Sequence, residues 1–416
     1  MSTREIPESG LFTGRAEFYR ETTTGSFNTD PDYTLYSDEV VDVSWSPGYA
    51  VERRDALGTP DAAGHDKGME EGEITITYRL QRQLVDGNGD PDDPAGDAFD
   101  RNSDDRIKNT HGIRIKDNRS ATDPDDPASA SGARMYIIGQ GGHPDADFED
   151  AADDSSALEM TLTYSCEKVR VYEIFQPDGT EALNIVSSDS SDTSQTLTIE
   201  DDNGASEDVS LNGTTAVTTT KADWDSIRGL ELDAETTGDV TISTSSSGDT
   251  LATIRGADAY SNSDDGVEGD LGVPVIGSGS LGSAVNNTLE SITGATIQRG
   301  GSSFAYDVAQ ASASVSNNYD PNARHETFRP RFDEGNRDTS IEFDLVGWGA
   351  SADFIDQMSR TVTDDVVVEL QKTTFTWNNA VIEGTDDVER GPDDSAIAFG
   401  ITASDSDDGG LSIAQP

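Results

Sequence analysis

One cysteine, Cys166, stands in a chain of 416 residues. A single thiol rules out an intrachain disulfide and any zinc site built from several thiolates. Basic residues are scarce as well: 28 Lys and Arg face 81 Asp and Glu, a net charge of −53. With no long Lys/Arg cluster to offset that charge, the chain is not one that wraps nucleic acid, whose phosphates it would repel. A tunnel that DNA only passes through is a different case, because an acidic wall prevents sticking. No run of about eighteen apolar residues occurs, so no membrane-spanning helix is expected. The opening MSTREIPESG lacks an apolar signal core, so conventional secretion is not expected, and a product found outside the cell would leave by lysis.

Chemical signatures are missing too. There is no Gly-x-Ser-x-Gly, no Gly-rich phosphate loop followed by Lys, and no paired-His motif. The four histidines, His65, His111, His143 and His325, have no zinc-site spacing and read as surface or interface residues. Among 81 acids no glycosidase pair can be singled out. Asp86, Asn88 and Asp90 place oxygens at alternate positions as a calcium loop does, but Pro91 follows where Gly is needed and Asp97 stands where a bidentate Glu belongs. They read as a solvated acidic loop. No catalytic residue, metal or cofactor is expected, and the chain reads as a non-enzyme. Cys166, beside a strand, reads as a small packing residue.

What is present is acidity spread along the whole chain and short alternating apolar runs. Such charge folds most readily where salt screens it, so a very salty medium is expected. The apolar fraction, 33%, is low enough to raise disorder, but its clustering into alternating runs points to thin β-layers with polar outer faces. In Glu73 to Leu80, Ile74, Ile76, Tyr78 and Leu80 point one way and Thr75, Thr77 and Arg79 the other, the period of a half-buried strand. Val41, Val43 and Trp45 alternate likewise before Pro47-Gly48. The stretch Phe12 to Leu35 reads as an extended arm or loose strand, Gly58 to Gly72 as a loop, and 86–127 as an acidic insertion or surface loop around a short strand at Ile113 to Ile115.

Strand signal returns at Ala133 to Ile138 and from Leu158 to Phe175, and Pro177 to Thr180 forms a turn that ends the first part. From Ala182 to Ile254, short runs such as Gln195 to Ile199 and Leu230 to Leu232 recur between Asn/Gly/Ser turns, the pattern of a small sandwich. A helical or turn segment there carries Trp224 and Ile227. Gly/Asp/Ser-rich sequence follows, then strands at Ala295 to Gln298, Ala309 to Val315, Ser340 to Val346, Asp365 to Leu370 and Ala396 to Thr402. A short helix is expected at Ser351 to Arg360, with Phe354, Ile355 and Met358 on one face. The organisation is therefore 1–180, a sandwich at 181–256, a linker at 257–288, and a last part at 289–416.

The first and last parts echo each other. Glu73 to Leu80 matches Ser340 to Val346, with Ile341, Phe343 and Leu345 against Ile74, Ile76 and Tyr78, and Glu342 and Asp344 on the alternate face. Each follows an earlier strand, Val41 to Trp45 and Ala309 to Val315. Two copies of one unit with the sandwich between them would account for this order.

In these residues the sequence resembles the major tail protein, or tail tube protein, of long-tailed viruses of bacteria and archaea. The likeness lies in the strand Val41 to Ser46, the loop Ala56-Leu57-Gly58, the strand Glu73 to Leu80, the segment Phe304 to Asn318 with its alternating Ala311 to Val315, Arg329-Pro330, Gly335, Ile341 to Val346, the helix near Phe354 to Met358 and the closing strands. The middle piece resembles the Ig-like modules that such virion proteins carry outside, through Leu211-Asn212-Gly213-Thr214-Thr215 and Trp224. The acidity fits a virus of halophilic archaea.

The resemblance implies a mainly β fold with two tail-tube domains, a short helix and an inserted Ig-like sandwich. It implies a structural virion protein, located in the tail, that self-assembles into stacked rings around a hollow tube for viral DNA. Relatives with duplicated domains form trimers and those with single domains hexamers. Other partners would be the tape measure and tail terminator proteins, with no membrane. Ile74, Ile76, Tyr78, Leu80, Ile341, Phe343 and Leu345 would build the barrel wall. Thr75, Thr77, Arg79, Glu342 and Asp344 would face lumen or solvent, and the loops 58–72 and 321–335 would touch a neighbouring ring. The alternative is an adhesin-like binding module on a cell surface or a virion.

Overall fold

The computed structural model describes residues 14–21, 31–36, 39–55, 62–101, 106–118, 134–150, 158–177, 179–201, 203, 205–227, 229–234, 236–254, 256, 296–299, 302–304, 307–323, 330–335, 337–346, 364–369, 372–383, 396–403 and 411–415. The chain is mainly β, its strands antiparallel. Among the described residues the only helical element is a 3-10 turn, Gly96–Ala98, and no helix is long and apolar enough to cross a membrane. The expected helix at 351–360 and linker at 257–288 lie outside the described residues, as does His325.

The first eight strands are β1 (Gly14–Glu21), β2 (Tyr33–Tyr36), β3 (Val40–Asp55), β4 (Ala62–Arg79), β5 (Thr110–Asn118), β6 (Arg134–Asp150), β7 (Leu158–Cys166) and β8 (Lys168–Ile174). They form two layers that share β6. Its first half lies between β5 and β8, with β1 and β2 beyond β5. Its second half pairs with β7, and β4 and β3 follow in order. The changeover falls at glycines, where Gly141 takes φ 60°. A Cβ on Gly142 would sit 2.9 Å from the His111 carbonyl oxygen, so this corner needs bare backbone.

Period-two alternation works as the sequence implied. In β7 the pattern is strictly buried then half-buried, with Leu158, Met160, Leu162, Tyr164 and Cys166 inside. Ile74, Ile76, Tyr78 and Leu80 are buried beside them, and Ala16, Phe18, Leu35, Ile113 and Ile115 close the core from the other layer. Cys166 is fully buried, and burial raises its thiol pKa.

Three expectations change here. The stretch read as an extended arm or loose strand holds two regular strands, β1 and β2, whose Ala16, Phe18 and Leu35 have no exposure. Residues 62–72 are strand, not loop, because β3 and β4 pair continuously from Tyr78 to Ala62 apart from bulges. The segment 86–127 is not a surface insertion over its described length: Asp93, Ala95, Asp97 and Ala98 are buried and β5 is an inner strand. Asp93 and Asp97 look like solvent-seeking residues in composition, but internal donors hold them inside.

A smaller sandwich follows, with β9 (Leu183–Ser187), β10 (Thr196–Glu200), β11 (Ser206–Ser210), β12 (Val217–Thr218), β13 (Gly229–Leu232), β14 (Val240–Thr244) and β15 (Thr250–Ile254). One sheet runs β11-β10-β13, the other β12-β9-β14-β15. Trp224 and Ile227 are fully buried in a non-helical segment, and the Trp224 indole donates to the Thr219 hydroxyl at 3.2 Å. Tyr136 of β6 and Ile174 of β8 belong to this second core. The Gln176 amide accepts from the Ile227 N–H at 2.7 Å and donates to its carbonyl at 3.2 Å, so this sandwich sits directly on β6 and β8.

The remaining strands are β16 (Thr296–Arg299), β17 (Ser302–Phe304), β18 (Asp307–Ser316), β19 (Tyr319–Ala323), β20 (Pro330–Glu334), β21 (Asp338–Val346), β22 (Asp364–Glu369), β23 (Thr374–Glu383), β24 (Ala396–Ala403) and β25 (Leu411–Ala414). Apart from the β19–β20 hairpin, their pairings repeat those of the first eight. β16 pairs with β17 and β22, β22 with β23, and β23 with β25 and β24. β24 then pairs with β21, and β21 with β18. Even a bulge recurs: Val40↔Tyr78 steps to Asp42↔Thr77, and Val308↔Leu345 steps to Gln310↔Asp344. That register sets Ile74 to Tyr78 against Ile341 to Leu345, the alignment the sequence echo gave.

Candidate functional site

The two strand sets join inside the chain. β18, the first strand of the second four-strand row, pairs with the far end of β6, Ser312↔Glu149 through Val315↔Ala146. One sheet therefore runs β3-β4-β7-β6-β18-β21-β24-β23. Behind it the joint has its own apolar filling, with Ala313 and Val315 buried and the Phe148 and Phe375 rings 4.8 Å apart. Lys372 Nζ donates to the Gln81 carbonyl at 2.7 Å.

The β19–β20 hairpin fastens the same joint. Asn317, buried before the hairpin, donates its N–H to Asp145 Oδ1 at 2.6 Å and its side-chain amide to the Pro144 carbonyl at 2.9 Å. Both Glu334 oxygens accept from the Ile107 N–H, at 2.9 and 3.0 Å. His143 lies between Tyr319 and Phe332, ring centroids 4.9 and 5.1 Å away. Burial pushes His143 down to about 4. Burial lifts Asp145 to about 6, with the Asn317 N–H pulling the other way. The segment 321–335, expected to touch a neighbouring ring, thus grips the first strand set of its own chain over its described residues.

The face opposite the core is polar across the joint. Paired residues share a face, and one transverse row reads Asp42, Thr77, Thr161, Asp147, Ser314, Ser340, Thr402 before it ends at Val381 of β23. Seven strands at about 4.8 Å spacing make this row about 29 Å long. Thr77 and Thr161 hydroxyls lie 3.0 Å apart and those of Ser314 and Ser340 2.7 Å apart. Arg79 Nε meets Glu159 Oε1 at 3.4 Å. Thr75 and Thr77 are half-buried on this face, with Thr75 opposite Thr163. Glu342 and Asp344 stand opposite Ser312 and Gln310 in register, and Ile341, Phe343 and Leu345 opposite Ala313, Ala311 and Val308.

Two edges complete the site. β3 pairs with β4 alone among the described residues, and its Val41 is 46% exposed. The end of β23, Ala380–Glu383, pairs with β24 on one side, and no described strand flanks its other side beyond Ala380.

Sequence reasoning missed a buried polar network between the layers. Tyr164 Oη and His111 Nδ1 lie 2.9 Å apart, as do His111 Nε2 and Asp97 Oδ2. A proton on Nε2 suits the carboxylate and leaves Nδ1 to accept from the phenol. Arg20 Nε and Asn109 Nδ2 also donate to Asp97, at 3.1 and 2.9 Å. Burial alone would raise Asp97, but the His111 bond and the Arg20 charge hold it at about 2. Burial lifts Asp93 to about 6 against Arg82, the Tyr78 hydroxyl and the Ala95 N–H. His111, expected at a surface or an interface, is buried instead: it, Asp97 and Tyr164 have no exposure, and the trio ties the layers together.

Among the described residues no group of three or more His, Cys, Asp or Glu is placed to hold a metal ion. Asp86 Oδ1 accepts from the N–H groups of Asn88 and Asp90 at 2.8 and 3.0 Å, closing a turn on itself. No family model matches the chain, and no curated protein matches it.

Proposed function

We propose that this protein is a structural subunit that assembles with copies of itself into stacked rings, the tube of a viral tail, with the sandwich on the outside. One observation carries the reading: the same strand set occurs twice, and the two sets are joined edge to edge within one chain through β6 and β18. Read as two copies of a tail-tube domain, they leave β3 in the place that β18 fills and the end of β23 in the place where β6 receives it. The first strand of one copy then extends the last row of the next, a heterologous contact that closes into a ring and removes exposed sheet edges.

On this reading the hydroxyl and carboxylate face, with Thr75, Thr77 and Arg79 and by register Glu342 and Asp344, turns to the axis. The apolar face with Ile74, Ile76, Tyr78 and Leu80 stays within the wall. Carboxylates at the axis repel a DNA backbone and let it slide. Ile341, Phe343 and Leu345 are the second-domain counterparts. Rings of three chains match the duplication. The protein then acts in the virion, without catalysis or cofactor, alongside tape measure and tail terminator proteins.

Negative-stain microscopy and light scattering of the full chain in molar sodium chloride test the proposal. Rings or hollow tubes with an open channel are the expected result. A monomer at every concentration, with no particle larger than one chain, overturns it.

A further inference from the structure

Asn212-Gly213-Thr214 has the Asn-x-Ser/Thr pattern that sugar transferases modify, and it lies wholly within the described residues. The chain has two other such triplets, at 118–120 and 286–288, which do not. So short a pattern arises easily in a chain rich in Ser and Thr. Its place in the fold is what distinguishes this copy.

The small sandwich has two ends. At the end seated on β6 and β8, the Phe175 N–H donates to the Leu251 carbonyl at 2.7 Å and Gln176 holds Ile227. β9 starts at this end, where Asn184 shares a row with Ser243 and Thr250, and runs to Ser187. Its five residues carry the chain about 15 Å away from the seat. There the Ser187 N–H donates to the Gly213 carbonyl at 3.0 Å, and the Gly213 N–H to the Asp192 carbonyl at 2.7 Å. The triplet therefore stands at the tip of the sandwich remote from the rest of the chain.

The tip is held in one conformation. Gly213 takes φ 55°, and a Cβ there would sit 2.8 Å from the Ser190 carbonyl oxygen, so only glycine fits. The Asn212 carbonyl accepts from the Thr215 N–H at 3.1 Å, closing a turn above the buried Leu211. Asn212 and Thr214 are both exposed on this turn, and no hydrogen bond among the described residues engages the Asn212 carboxamide or the Thr214 hydroxyl.

We propose that Asn212 is a glycosylation acceptor, modified by a transferase whose donor is a sugar carried on a diphosphate. The Asn212 Nδ2 attacks C1 of the sugar, and the bond from C1 to the diphosphate oxygen breaks. Its electron pair leaves with the diphosphate and one Nδ2 proton passes to solvent, so nothing is oxidised or reduced. The attached sugar adds bulk and hydration at the tip and touches neither the seat nor the β6–β18 joint. The inference therefore stands apart from the ring reading.

The test is intact-mass and peptide mass spectrometry of the full chain isolated from the cells that make it, beside Asn212→Gln, Thr214→Ala and Thr214→Ser produced in the same cells. The expected result is a parent peptide around Asn212 heavier by whole sugar units in most chains, with the gain lost in Asn212→Gln and Thr214→Ala and kept in Thr214→Ser. Near-UV circular dichroism of the variants should match the parent, because both positions are exposed. Sugar already present on chains inside the cell identifies a nucleotide-linked donor, and sugar only on chains outside it a lipid-linked one; either supports the site. An unmodified parent peptide in every fraction, the small gain of deamidation alone, sugar only at other residues, or sugar retained in Thr214→Ala overturns the proposal.

Discussion

Asn317 donates its backbone N–H to Asp145 across 2.6 Å, tying the end of β18 to β6. Its side chain serves the same joint three times more, donating to the Pro144 and Ala98 carbonyls at 2.9 and 3.4 Å and accepting from Arg101 at 3.2 Å. Asn317→Ala removes a donor from the buried Pro144 and Ala98 carbonyls and one acceptor from the Arg101 guanidinium. The expected loss is about 2 kcal/mol, the cost of unsatisfied buried polar groups. Thermal melting in molar salt checks it, and a variant that melts with the parent contradicts the role given to this side chain.

Asp145 makes the same joint sensitive to pH. Its folded pKa of about 6 lies above the ordinary carboxylate value, so its contribution is fully present below that ordinary value and is lost as pH rises through 6. Asp145→Asn keeps an oxygen for the Asn317 N–H and removes the charge. The variant should therefore melt above the parent at pH 7, with the gap narrowing as pH falls through 6 and closing only below about 4. A gap that does not change with pH contradicts the assignment.

Asp97 behaves with the opposite sign. Held at about 2 by His111 and Arg20, it stabilises the fold above its ordinary value, and that contribution is lost as pH falls through 2. Asp97→Asn removes the carboxylate that His111 and Arg20 share, Arg20 keeping its bond to the Pro91 carbonyl, and is expected to lower stability by about 3 kcal/mol at neutral pH. Tyr164→Phe removes one hydrogen bond from the same network and is expected to lower it by about 1 kcal/mol. Melting curves of the two variants at pH 7 and pH 3 separate them: the Asp97 deficit narrows in acid, and the Tyr164 deficit does not.

What could be read in advance follows the local or long-range origin of each feature. The alternation in Ile74 to Leu80, and its echo in Ile341 to Leu345, is a local pattern and came through at the level of register. β23 did not: no strand is expected there from the sequence, and pairing with β22, β24 and β25 forms it. Asp93, Asp97 and His111 look solvent-facing in sequence because their partners, Tyr78, Arg20 and Tyr164, lie 15, 77 and 53 positions away. Burial of a charge is set by such distant donors, and composition does not carry them.

Val41 separates folding from assembly. It sits at the bulge of β3, 46% exposed, on the edge that lacks a neighbour among the described residues. A lysine there loses little packing, so the expected change in melting corresponds to no more than about 0.5 kcal/mol. A charge on an open strand edge nonetheless opposes addition of another strand, the means by which β-proteins keep edges apart. Val41→Lys should therefore melt with the parent while its assembly midpoint in molar salt rises by about tenfold, which needs only about 1.4 kcal/mol. An equivalent change at Val171, 37% exposed on β8, should leave assembly unaltered, because β8 lies in the other layer. If Val171→Lys impairs assembly and Val41→Lys does not, the β3 edge is not the joining surface.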